Sequence, residues 1–410
     1  MNKHRTAGAL LLLASALIPF AAQAAEKPKV RAVTAFVQLD RARYREQVQE
    51  TLVVLRRAKA VYEQVGYEVQ SLRISTQPFP QYTRGLTMDE ILTFFRELDT
   101  LAKKEGFDAA IGPAMLRDQD DPLQASLLGA ILQSTNLSGS LVVAGEDGVY
   151  WNAVRTAAGL IKHWSENSPG GITNFNFAAT AMVPPYTPFY PGSYHLGEGK
   201  RFAVALQSAN VVAEALAASP DFEDARDALA VALGGHARAV EAIALQIEQE
   251  TGWKYEGIDL SPAPLKDVSI GAAIEGLTRA RFGSVGTMTA AALITDVLRD
   301  LPVKHAGYSG LMVPVLEDAV LAQRWSEGTI SLDALLAYSA VCGTGLDTVP
   351  LPGDVTVEQL ERIIGDMASL AVKLRKPLSA RLMPVRGKKA GDKTEFNDPF
   401  LVNAEIQPLR

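Results

Sequence analysis

Apolar and polar positions along this chain switch repeatedly between two periods. Runs with period two, rich in Val, Ile, Phe and small residues, predict strands at 30–37, 67–74, 109–111, 139–144, 174–182, 202–206, 255–260, 311–315, 346–351 and 379–385. Between them, apolar residues recur at three- and four-residue spacing. Ile91, Phe94, Phe95, Leu98 and Leu101 predict an amphipathic helix over 88–105. Further helices are expected at 41–66, 151–164, 209–251, 268–282, from 287 to about 300, and at 357–374. Strands that alternate with helices in this way predict an α/β fold built from parallel βαβ units.

The amino end departs from that pattern. Lys3 and Arg5 precede an apolar run, Pro19 breaks it, and Ala22-Gln23-Ala24 places small residues where a signal peptidase reads. The run is shorter than the roughly 20 residues that span a bilayer. Residues 1–24 are therefore expected to be a cleaved secretory signal peptide, delivering residues 25–410 to a periplasm as one domain. No Cys follows the run to carry a lipid, and no later stretch is expected to cross a membrane. The formal charge of −6 falls by two when Lys3 and Arg5 leave. An acidic chain without a basic block is a poor partner for nucleic acid or anionic membranes. The basic cluster Arg386-Gly387-Lys388-Lys389 suits a solvated loop. A composition 48% hydrophobic and 21% charged belongs to a globular protein. The Pro/Gly/aromatic stretch 184–199 reads as a long functional loop.

Cys342 is the one cysteine, so no intramolecular disulfide forms. It lies in Cys342-Gly343-Thr344-Gly345-Leu346-Asp347, where the glycines permit close approach of a ligand. The thiol is either a pocket nucleophile or a small buried hydrophobe. Thr344 and Asp347 are candidate ligand contacts, though Asp347 also suits a cap. Tyr194, His195 and Glu198 end the long loop; a His and a carboxylate three apart can share a proton or a metal, or the His can be a hydrogen-bonded loop residue. Asp259 and Ser261 sit at the carboxyl end of a strand, where parallel folds place their pockets. Asp259 is a candidate general base there, or a turn former. Asn174 and Asn176 alternate with Phe175 and Phe177, which places both amides on one side of a strand. Glu317 and Asp318 suit the start of a helix. Arg381 can meet an anionic ligand or pair with one of these carboxylates. Phosphate-loop, dinucleotide, zincin and nucleophile-elbow motifs are missing. Metal and cofactor are left open.

Several of these stretches together resemble domain-of-unknown-function family 711, a family of uncharacterised proteins. They are Gly171-Ile172-Thr173-Asn174-Phe175, Pro188-Phe189-Tyr190-Pro191-Gly192-Ser193-Tyr194-His195, Gly257-Ile258-Asp259-Leu260-Ser261-Pro262-Ala263-Pro264, Ser309-Gly310-Leu311-Met312-Val313-Pro314-Val315-Leu316-Glu317-Asp318, the Cys342–Asp347 turn, and Arg381-Leu382-Met383-Pro384. The resemblance implies a ten-stranded α/β barrel of the ribonucleotide reductase and pyruvate formate-lyase type. Glycyl-radical members of that class carry an Arg-Val-x-Gly-aromatic signature, which 381–396 lacks, so radical chemistry is not expected. Two functions stay open: an enzyme-like barrel acting on a small polar molecule, or a non-catalytic periplasmic ligand-binding or sensing protein. Either is compatible with a homo-oligomer.

Overall fold

One ten-stranded sheet organises residues 26–409, the part of the chain that the computed structural model describes. The expected export signal lies outside the described residues. The strands are β1 (Lys29–Val37), β2 (Leu72–Thr76), β3 (Asp108–Pro113), β4 (Ser138–Gly145), β5 (Gly148–Val149), β6 (Phe177–Ala181), β7 (Arg201–Gln207), β8 (Lys254–Asp259), β9 (Gly345–Pro352) and β10 (Leu378–Val385). Their spatial order is β8-β7-β1-β2-β3-β4-β6-β10-β9, with β5 a two-residue appendage of β4. β1, β2, β3, β4 and β6 run parallel. On their flanks β7 joins β1 and β10 joins β6, both antiparallel, and each brings a parallel partner, β8 and β9. The mixed α/β class follows from helices that link successive parallel strands and cover one sheet face.

Nine of the ten expected strands appear. The exception is 311–315, which makes one isolated bridge instead, Pro314 to Asp347. Pro314 has no N–H to donate, and Ser309 with φ of 41° bends the approach. Val315 N donates to Asp347 O of β9 at 3.0 Å, while Ile258 N of β8 donates to Lys304 O at 2.8 Å. The segment 304–316 thus touches both outer strands of the sheet through single bridges. The strand expected at 174–182 begins only at Phe177. Pro169–Asn176 is instead a 3-10 segment kinked at Gly170 and Gly171, whose φ of 59° and 76° lie outside the helical region. Asn174 and Asn176 therefore do not alternate along a strand.

Helix ends follow local chemistry. Thr87 and Glu90 form a reciprocal capping box for the helix Met88–Glu105, which Gly106 ends in the left-handed region. Thr356 and Gln359 do the same for Val357–Leu374. The helix expected over 209–251 is two helices, Ala209–Ala217 and Phe222–Thr251. Pro220 interrupts the pattern and Asp221 caps the second helix through the Glu223 and Asp224 N–H groups. Contrary to expectation, Phe222–Thr251 is long and apolar enough by length and composition to cross a membrane. Its buried residues include Leu229, Leu233, Val240 and Ile247, and it packs on β8 and the helix Thr287–Asp300. It buries one face against the body of the fold and leaves Val231 and Leu245 exposed.

Candidate functional site

Alternation along the strands separates two chemistries. Leu72 and Ile74 of β2, Ile258 of β8, Leu346 of β9, and Leu378, Ala380 and Leu382 of β10 belong to the main apolar core under the helices. Their alternate neighbours Arg73, Ser75, Asp259, Asp347, Ser379 and Arg381 point to the opposite face. Arg31 of β1, next to core residue Val30, joins them. The helices do not supply this face with apolar cover; loops do. Val183, Phe189, Ala263, Tyr308 and Met312 form a second, small apolar cluster drawn from the loops after β6 and β8 and from 304–316.

The long loop after β6 reaches deep into the polar face. Tyr190 Oη donates to Ile74 O at 2.8 Å, Ser193 and Ser75 share a hydroxyl–hydroxyl bond of 2.7 Å, and His195 N donates to Thr76 O at 2.9 Å. Gly192 is required there: a Cβ would stand 2.9 Å from the Thr180 methyl of β6. Burial raises the Tyr190 pKa, so the ring enters the interior neutral.

Three ionic groups meet beside this loop. Arg381 Nε donates to Asp347 Oδ1 at 2.7 Å, and its Nη2 donates to Glu317 Oε1. Burial works against the arginine charge, but Asp347 and Glu317 more than offset it, and its pKa is raised. The guanidinium also lies 4.8 Å from the Phe175 ring centre. Glu317 is buried, and burial drives its pKa up against the pull of Arg381. Its second oxygen stands 3.6 Å from Arg31 Nη2. Oδ2 of Asp347 is buried without a hydrogen-bond partner.

Asp259 is held differently. Its Oδ1 accepts from Ser261 N at 3.0 Å, Ser261 Oγ at 2.6 Å and Ser309 N at 3.2 Å, and its Oδ2 from Tyr308 N at 3.1 Å. Gly307 makes room, since a Cβ there would lie 2.2 Å from Oδ2. Burial raises the Asp259 pKa and the four donors oppose it. A cavity of about 20 Å³, enough for about one water, is lined by Asp259, Ser261, Arg31, Arg73 and Tyr190 among others.

Of the residues singled out in the sequence, Asp259, Ser261, Glu317, Asp347 and Arg381 meet at this polar face. The other candidate site residues do not join them. Cys342 is buried within the apolar core, and its carbonyl accepts from the Lys376 ammonium. The glycines of its turn do admit a close neighbour, but it is the chain itself: a Cβ on Gly343 would meet the Gly310 backbone at 2.7 Å, and one on Gly345 the Ser379 carbonyl at 2.5 Å. Thr344 accepts from Ser379 N through its carbonyl while its hydroxyl is buried without a partner. His195 is fully buried; Nε2 bonds Gly197 O at 2.8 Å, so it carries the proton and leaves Nδ1 unpartnered. Burial lowers the His195 pKa. Glu198 is exposed and does not join His195. Tyr194 Oη reaches only Val183 O, at 3.3 Å. Asn174 donates to Ile161 O at 3.2 Å, from the 3-10 turn. Glu317 does not face a helix N-terminus but the interior, whereas Asp318 does cap. Among the described residues, no group of three or more His, Cys, Asp or Glu is placed to hold a metal.

Arg31, Arg73 and Tyr308 escape a reading by motif, and Tyr190 was legible only as part of the long loop. The available signal was an arginine at an alternate position between apolar strand residues, as in Leu72-Arg73-Ile74. Such a residue is either edge-exposed or buried for a reason.

Residues 23–397 match the family model described as Uncharacterised ACR (DUF711). A UPF0210 protein from Pyrobaculum aerophilum is 35% identical over 81% of this chain and 77% of its own length. One from Methanopyrus kandleri is 29% identical over 82% of this chain and 79% of its own. Among solved structures, the anaerobic ribonucleotide reductase from Thermotoga maritima in complex with dATP and CTP aligns with a TM-score of 0.43 and 10% identity, covering 86% of this chain and 75% of that one. The chain belongs to the DUF711 (UPF0210) family.

Proposed function

We propose that this protein is an exported, single-domain, enzyme-like α/β protein that binds a small polar molecule on the polar face of its sheet. The observation that carries the reading is the buried cluster of Arg381, Asp347 and Glu317. Burying three ions costs several kcal/mol each before pairing, and an apolar face would be cheaper to build. Asp347 Oδ2 is left without a donor, which suits a ligand hydroxyl or amine. The single bridges that 304–316 makes to β8 and β9 favour closure of the sheet into a barrel around this face. Export rests on the composition of residues 1–24, and the family match begins at residue 23. The missing Arg-Val-x-Gly-aromatic signature supports chemistry without a glycyl radical.

One observation favours binding without turnover. The thiol of Cys342, a candidate for chemistry, and the Glu198 carboxylate, a candidate ligand contact, lie off the polar face. Native mass spectrometry of the mature protein from a periplasmic extract tests the reading. A retained polar metabolite that is lost in Asp347→Asn is expected; a protein that retains nothing would refute it. Turnover of that metabolite separates enzyme from binder, and amino-terminal sequencing of the exported chain should begin at Ala25.

A further inference from the structure

The outer side of Phe222–Thr251 lacks the charges that the exposed side of a helix ordinarily carries. From Ala228 to Leu245, about five turns, Arg238 and Glu241 are the only charged residues, and His236 turns aside to bond Tyr67. Val231 is 79% and Leu245 43% exposed, with Ala230, Gly235, Ala239 and Ala242 exposed between them. Val231, Gly235, Arg238, Ala242 and Leu245 recur at spacings of four and three, so they form one ridge. The adjoining helix Tyr44–Gln64, whose Tyr62 hydroxyl donates to Val240 O, has the ordinary surface: it exposes Arg45, Glu46, Glu50, Arg56, Arg57 and Glu63.

The ridge is complementary to a reversed copy of itself. Arg238 makes no hydrogen bond or ion pair among the described residues, and its Nη1 lies back along the helix, 3.3 Å from where a Cβ on Gly234 would stand. Glu241 accepts from Lys304 N at 2.6 Å through Oε1, and its Oε2 accepts no hydrogen bond among the described residues. Gly235 leaves a recess, since a Cβ there would meet no atom within 4 Å. Consider an antiparallel copy related by a two-fold axis level with Val240. Leu245 then stands over Gly235 of the second copy, each five residues from the axis, and Arg238 stands beside Glu241 of the second copy. Symmetry makes both contacts twice. A parallel copy would instead set Arg238 against Arg238 and Glu241 against Glu241, where like charges repel.

We propose that this face docks a second copy of the chain, antiparallel, with Leu245 seated at Gly235 and Arg238 paired to Glu241 across the axis. The buried side of the same helix, through Leu229, Leu233, Val240 and Ile247, belongs to the main apolar core. The ridge therefore lies on the helical side of the sheet, and the dimer neither needs nor blocks a ligand on the polar face.

Sedimentation velocity of the mature chain, from about 1 to 100 micromolar, should show a monomer–dimer equilibrium. Leu245→Glu should raise the dissociation constant at least tenfold. Arg238→Glu and Glu241→Arg should each weaken self-association, because each sets like charges across the axis. Mixed in equal amounts, those two variants should pair with one another, since every charged contact between them then joins opposite signs. A parallel or unrelated dimer has no reason to show that recovery. Gly235→Trp, which fills the recess without touching a neighbour, should also dissociate the dimer and carries the test should Glu241→Arg not fold. A chain that stays monomeric throughout overturns the proposal, whether or not it floats with phosphatidylcholine vesicles. A dimer that Leu245→Glu or Gly235→Trp leaves intact, or a folded mixture that does not pair, overturns it equally.

Discussion

Arg381 and Asp347 face each other across the parallel pair β9–β10, Nε to Oδ1 at 2.7 Å, with side chains 6% and 0% exposed. Removing the cation alone would strand two buried carboxylates. Arg381→Met should therefore lower the unfolding free energy by about 3–5 kcal/mol. Adding Asp347→Asn and Glu317→Gln to it should recover much of the loss. Urea denaturation of the single and triple variants measures both, and a triple variant no more stable than the single one would contradict the account.

Asp318 joins two helices through one carboxylate. It accepts from Ser269 Oγ, Ile270 N and Gly271 N at the start of Ile270–Thr278, and from Val320 N and Leu321 N at the start of Ala319–Ser326. Each cap is worth up to about 2 kcal/mol. Asp318→Ala should cost about 2–4 kcal/mol, and Asp318→Asn less, because one acceptor oxygen remains. Equal losses in the two variants, read by chemical denaturation, would argue against the double cap.

Burial holds the His195 pKa below its ordinary 6.5. Just below pH 6.5 the unfolded chain takes up a proton that the native chain refuses, so stability falls as pH drops through that window and is intact above it. The slope is at most about 1.4 kcal/mol per pH unit for one proton. Stability curves of the native protein and of His195→Gln from pH 5 to 8 should diverge at the acid end; parallel curves would mean that His195 does not titrate this way.

Cys342 is 1% exposed. Its thiol should resist a thiol-reactive disulfide reagent in the native protein and react at once in denaturant. Rapid native labelling would put the thiol back among the candidates for chemistry.

What the sequence discloses depends on the range of the interaction. The helix Val357–Leu374 was legible to the residue, because its apolar period and its Thr356–Gln359 capping box are local. Most core strands were legible too, but 67–74 proves to be Leu72–Thr76, 174–182 starts only at Phe177, and 311–315 forms no strand because Pro314 removes the donor a ladder needs. The site was legible in parts. Asp259 and Ser261 sit at a strand end, and Arg381 was readable as meeting an anionic ligand or pairing with one of the carboxylates, without saying which. That Asp347 is one partner follows only from β9 lying beside β10, a relation that no local pattern contains. The Cys342 turn misled for an instructive reason. Its glycines do signal close approach, but the approaching group is the Gly310 backbone.

The spatial order of the strands also sets an assembly schedule. β1 has β2 on one side and β7 on the other; β6 has β4 and then β10. The amino-terminal parallel strands thus keep two unpaired edges until the later strands add, and the second edge closes only when residues 378–385 are in place. Unpaired edges invite foreign strands. A chain terminated before Leu378 should therefore be sticky rather than merely shortened, and the last strand acts as the clasp on a structure begun near residue 29.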